Sequence, residues 1–237
     1  MAALLHTAAM VTLAPVLIAQ GIRLRQTALV LPEPPGPRAG TAGSGPPLRV
    51  LIAGDSAAAG VGADTQADGL SGQLVAQLAP HRTVTWRLEA RTGATTRDTR
   101  DHLATLPETP FDIVVTSLGV NDLTRNVPLA KWLDRQARLH DLLRTRFGAS
   151  RIIVSGMPPM GHFPLLPNPL RWVLGAQALR FDDHLARLCA DHADCTHLRF
   201  DMPFDPAMMA RDGFHPGPLA YTEWARMIRA AIGPAQS

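Results

Sequence analysis

At 237 residues, 46% apolar and 18% charged, the chain is long enough to bury one generous core, and this composition excludes wholesale disorder. Its formal net charge is only +3, carried almost wholly by arginine, with Lys131 the sole lysine. No long run of like charges and no interleaving of basic with aromatic residues occurs, so nucleic acid is not expected as a partner.

Residues 1–22 carry no charged side chain, which is close to the length that crosses a bilayer. His6 and Pro15 interrupt the stretch, and no basic n-region or A-x-A site marks a cleaved signal. Residues 1–30 are therefore expected to anchor the protein at a membrane. Arg23 and Arg25 would favour a cytoplasmic domain, though two arginines leave the side open. An interfacial or core helix is the alternative reading of the same segment. Residues 31–47, "LPEPPGPRAGTAGSGPP", are dense in Pro, Gly and Ser and read as an extended linker.

One catalytic-size domain is expected over 48–237. Apolar runs "LRVLIAG", "TVTWRLEA", "FDIVVTSLG", "RIIVSGMP" and "CTHLRF" alternate with helical patterns over 66–79, 96–104, 129–147 and 170–190, and a last helix over 218–231. Short, continuously apolar strands separated by helices predict an α/β fold, a three-layer α/β/α sandwich around a parallel sheet of about five strands. In such sheets ligands bind beyond the carboxyl ends of the strands, so the residues just after each strand are the ones to compare.

Those positions hold Ser56 in "GDSAAAG", Gly93 in "RTGATTRD", Asn121 and Asp122 in "GVND", and Asp212 and His215 in "DGFH". Each has work to do in acyl transfer. A serine hydroxyl becomes nucleophilic when a histidine takes its proton. Asp212, three residues before His215, can hold the imidazole tautomer and stabilise the imidazolium. The backbone N–H of Ser56, the N–H of Gly93 and the Asn121 amide are candidate oxyanion donors. Taken singly, each has a plainer role: Ser56 as a helix cap, Gly93 as a turn glycine, Asn121-Asp122 as an Asx turn. Co-occurrence in this order, at strand ends, favours catalysis. His102, His162 and the other histidines fit no pattern.

In these four blocks the sequence resembles the SGNH hydrolases, the GDSL lipase/esterase family, from about residue 49 to 227. The first block reads GDSA where the family name has GDSL. The resemblance implies a flavodoxin-like fold, Ser56 as nucleophile, Asp212 and His215 as its partners, and Ser56, Gly93 and Asn121 as the oxyanion hole. It implies a carboxylic ester hydrolase acting on small-molecule or lipid esters, with no metal or organic cofactor. Asp55 and Asp122 read as structural acceptors, with Asp55 the substitute for Asp212 should the last turn point elsewhere.

The apolar, Pro-rich segment 156–177 follows the fourth strand. It is expected either to wall an acyl pocket for short to medium chains or simply to pack its helix onto the sheet. An acyltransferase or carbohydrate deacetylase would use the same residues, and a non-catalytic module presented at a membrane is the reading from another class. Cys189 and Cys195 are read as buried or half-buried thiols, and a bridge between them would require an oxidising compartment.

Overall fold

The computed structural model describes residues 2–200 and 205–233. Strands β1 (Ala39–Ala42), β2 (Pro47–Gly54), β3 (Thr83–Ala90), β4 (Ile113–Ser117), β5 (Arg151–Ser155) and β6 (Cys195–Leu198) form one sheet. Their order is β1-β3-β2-β4-β5-β6, parallel throughout except for β1, which runs antiparallel to β3 along the edge. Helices α1 (Ala2–Thr27), α2 (Leu70–Leu78), α3 (Thr96–Thr105), α4 (Val120–Thr124), α5 (Leu129–Phe147), α6 (Leu170–Ala190) and α7 (Pro218–Ile232) complete the described elements, with two short 3-10 turns.

The alternation of side chains along β2 divides the core in two. Val50 and Ile52 pack with Leu70 and Leu74 of α2 and with Tyr221 and Trp224 of α7. Leu51 and Ala53 pack on the other face with Leu103 of α3, Leu139 and Leu143 of α5, and Leu185 of α6. Leu51 and Ile52 are fully buried, each contributing about 2 kcal/mol of transfer free energy. This is the expected three-layer α/β/α sandwich.

Local signals fix the helix ends. Thr95 and Asp98 form a reciprocal capping box at the start of α3. Gly148, left-handed at φ 57°, stops α5, and Pro218 opens α7 directly after Gly217.

One expectation is corrected. Segment 31–47 is more than a linker, because it supplies β1, the sixth strand, and Leu31 and Pro34 are buried. The first half of the anchor expected over 1–22 lies outside the residues whose side chains are described, and among the described residues no helix is long and apolar enough to cross a membrane. The C-terminal half of α1 docks on the body. Gln20 donates to Asn168 O at 2.7 Å and accepts from Leu170 N at 3.1 Å, and Leu24 packs against the core. Cys189 and Cys195 are both free thiols, buried and half-buried respectively.

The chain passes from β2 to β3 on one side and from there to β4 on the other. The crevice created by that reversal lies at the carboxyl end of β2, where Ser56 stands.

Candidate active site

β2 ends at Gly54, and the next residues turn sharply instead of starting a helix. Asp55 N donates to Ser117 O at 3.2 Å, Ala59 N to Asp55 O at 2.9 Å and Val61 N to Ser56 O at 3.0 Å. The Asp55 carboxylate closes the turn by accepting Ala57 N at 3.1 Å. The next α-helix begins only at Leu70, so Ser56 caps nothing. It is 9% exposed and lines a cavity.

His215 bridges to it from the other end of the chain. Its Nε2 lies 2.9 Å from Ser56 Oγ, and its Nδ1 lies 2.6 Å from Asp212 Oδ2. The second Asp212 oxygen accepts the backbone N–H groups of Phe214 and His215, both at 3.0 Å. With a carboxylate facing Nδ1, the proton sits on that nitrogen, leaving Nε2 to accept from the serine hydroxyl. Burial pushes the Asp212 carboxyl up, but the His215 ring and the two amides outweigh it and hold the group below the usual carboxylate range. Asp212, and not Asp55, is the carboxylate on the imidazole.

Gly93 follows β3 and is not among the residues lining the cavity, and Asn121 follows β4. Gly93 has φ 78°, and its carbonyl accepts from Arg125 at 2.7 Å. Among the described residues neither the Ser56 nor the Gly93 backbone N–H has an acceptor. Asn121 lines the cavity, its Nδ2 donating to Ala94 O at 3.1 Å and to Asp55 Oδ2 at 3.3 Å. Burial, opposed by the Ala57 amide and by His215, pushes the Asp55 carboxyl up to about 6. Asp122 is fully buried, accepting from Thr96 N and Thr96 Oγ1, both at 2.8 Å, and from Arg135 at 2.9 Å. It ties α4 to α3 and α5 and does not enter the cavity.

The cavity is about 140 Å³, walled mainly by apolar groups including Met157, Pro159, Phe163, Met209, Phe214 and Trp224. Segment 156–177 both lines this cavity and packs into the core. Met157 and Phe163 face the cavity, Leu166 and Val173 are buried in the packing, and Trp172 is half exposed. The wall is held by a pair that the sequence did not announce. Asp182 Oδ1 accepts Met157 N at 2.8 Å and pairs with His197 Nε2 at 2.8 Å. Asp182 lies on α6 and His197 on β6, and no local motif joins them.

The sequence pattern of the GDSL-like lipase/acylhydrolase family matches residues 52–222. Among solved structures, the psychrotrophic esterase EstA from Pseudoalteromonas sp. superposes with a TM-score of 0.59 at 21% identity, over 78% of this chain and 96% of that one. TesA gives 0.62 at 23% identity, over 78% and 98%. The acetylxylan esterase Axe2 from Geobacillus stearothermophilus gives 0.58 at 18% identity, over 80% and 96%. At such identities the likeness shows a shared fold. No curated protein sequence matches the chain. The family pattern covers most of the chain, including both ends of the Ser56–His215 link, and the chain belongs to the GDSL-like lipase/acylhydrolase family of carboxylic ester hydrolases.

Proposed function

We propose that the protein hydrolyses carboxylic esters of short to medium acyl chains through an acyl-enzyme on Ser56. The observation that carries this reading is the continuous link from Ser56 Oγ through the His215 ring to Asp212, at 2.9 and 2.6 Å. Ser56 Oγ attacks the ester carbonyl carbon while His215 Nε2 takes its proton. Asp212 keeps Nδ1 protonated and stabilises the imidazolium.

The carbonyl oxygen, now an oxyanion, is met by the Ser56 and Gly93 N–H groups and by Asn121 Nδ2. Asn121 exchanges its longer 3.3 Å contact with Asp55 for the new acceptor. Collapse expels the alcohol, which leaves with the proton from His215. Water then attacks the acyl carbon with His215 again as base, and Ser56 is released.

The acyl chain enters between Met157, Phe163 and Phe214. A volume of about 140 Å³ and apolar walls favour a few methylene groups over a long fatty chain or a polar acyl group.

The test is p-nitrophenol release from acetate, butyrate and octanoate esters, with fluorophosphonate labelling in parallel. Butyrate should be turned over fastest, and Ser56→Ala should lose both turnover and label. Equal rates in wild type and Ser56→Ala would exclude Ser56 as the nucleophile.

A further inference from the structure

The loop that carries Gly93 is held from outside by a segment that precedes the family-matched region. Thr92, the residue before Gly93, donates through both its backbone N and its Oγ1 to one oxygen of Glu33, at 2.7 and 2.9 Å. The other Glu33 oxygen accepts from Arg38 at 2.9 Å, and Arg38 also donates to Ala90 O at the end of β3. Arg38 is in turn fixed to the sheet, because its carbonyl accepts Leu88 N at 2.7 Å where β1 begins. Burial raises the Glu33 carboxyl, but the Thr92 and Arg38 contacts outweigh it and keep the group ionised at neutral pH.

The same segment grips the Ser56 turn. The carbonyls of Pro34 and Pro35 accept the side chain of Gln66 at 3.2 Å and its backbone N at 2.8 Å. That buried side chain also donates to Ala59 O at 2.9 Å, three residues past Ser56. One short stretch thus touches both loops from which the two backbone oxyanion donors project.

We propose that residues 31–38 form a clasp that sets the oxyanion loop against the nucleophile turn, with Glu33 as a positioning residue for the Gly93 N–H. This rests on the reading of Gly93 as an oxyanion donor. Glu33 touches no substrate. It acts by fixing the peptide plane that precedes the donor, and a donor displaced by a fraction of an ångström loses its contact mainly in the transition state. The signature is therefore a lower kcat at unchanged KM.

The experiment compares full-length wild type, Glu33→Ala, Glu33→Gln and Ser56→Ala. It measures kcat and KM on p-nitrophenyl butyrate, and Ki for butylboronic acid, which becomes tetrahedral on a serine and mimics the transition state. Glu33→Ala is expected to lose about tenfold or more in kcat, to keep KM within about twofold, and to weaken Ki by the same factor as kcat. Glu33→Gln, which still offers an acceptor to Thr92 N, should recover most of that loss.

A folded Glu33→Ala enzyme with wild-type kcat and Ki overturns the clasp, as does a loss confined to KM. If Glu33→Ala does not fold, Arg38→Met cuts Glu33 loose from its anchor on the sheet while leaving its contacts with Thr92, and a wild-type kcat and Ki there overturn the clasp equally. Wild-type turnover in Ser56→Ala would instead remove the serine mechanism itself, so the two failures are distinct.

Discussion

Asp55 and Asn121, the residues after β2 and β4, are joined across the crevice by a contact of 3.3 Å between a buried carboxylate oxygen and the amide nitrogen. Asp55 thus serves two donors, Ala57 N and Asn121 Nδ2, one on each oxygen. An asparagine at this position offers one acceptor in place of two. Asp55→Asn should therefore lower kcat about tenfold by freeing the Asn121 amide to rotate.

The same carboxyl makes stability depend on pH. Burial raises it from 3.8 to about 6, so between those values the folded protein keeps a proton that the unfolded chain has released. Stability must then fall as pH rises through that window and level off above it, by about 3 kcal/mol in all. Urea unfolding of wild type and Asp55→Asn from about pH 4 to pH 7 checks this. The variant should lose the downward slope, and an unchanged slope would assign it to another group.

Asp212 behaves in the opposite sense. Its carboxyl is held below 3.8, so its contribution is complete above about pH 4 and is lost as pH falls through the folded value. Asp212→Asn should remove that acid-side loss and reduce kcat by about 10⁴-fold, because an amide facing Nδ1 favours the wrong tautomer. Steady-state rates and acid titration of the folded fraction report the two effects separately.

Two glycines with positive φ should respond differently to alanine. At Gly119, φ 139°, an added Cβ would lie 2.5 Å from Met157 Sδ and 3.0 Å from the Trp132 ring. Backbone strain and overpacking together should cost about 3 kcal/mol in chemical denaturation. At Gly93, φ 78°, the nearest atom would be Arg125 Nη2 at 3.7 Å, so only the left-handed backbone opposes alanine, at about 1 kcal/mol. A larger loss at Gly93 than at Gly119 would contradict this ordering.

Arg135 is the cation beside Asp122, which has no solvent exposure. Arg135→Ala leaves that carboxylate buried with only Thr96 as its donor residue, and should destabilise the fold by about 3–5 kcal/mol. Adding Asp122→Asn should restore part of the loss, since the uncompensated charge is then gone. Denaturant midpoints of the single and double variants measure the coupling.

Strands β2 to β6 and the longer helices were legible because their apolar runs are set by burial, which periodicity reads directly. The start of α5 at Leu129 and its stop at Phe147 coincide with the expected bounds. β1 was not legible, because "AGTA" pairs with β3 through backbone groups and leaves its own side chains half-buried or exposed. The strand-end blocks supplied Ser56, Asn121, Asp212 and His215, which the structure links around one cavity, and Gly93, which stands in the turn after β3. Glu33, Arg125 and the Asp182–His197 pair could not be read in advance. Each acts on a main-chain group or side chain far along the sequence, and single-residue chemistry does not reveal such partners.

The contact between Ser56 and His215 spans 159 positions of chain, and Tyr221 Oη reaches back a further position to Val61 O at 2.7 Å. A ribosome therefore releases Ser56 long before it makes the base that activates it. Until the final helix has docked, the nascent polypeptide carries an ordinary alcohol that cannot be acylated by passing esters. Turnover during refolding should accordingly appear last, after the sheet has formed, which makes esterase activity itself a reporter of the closing step.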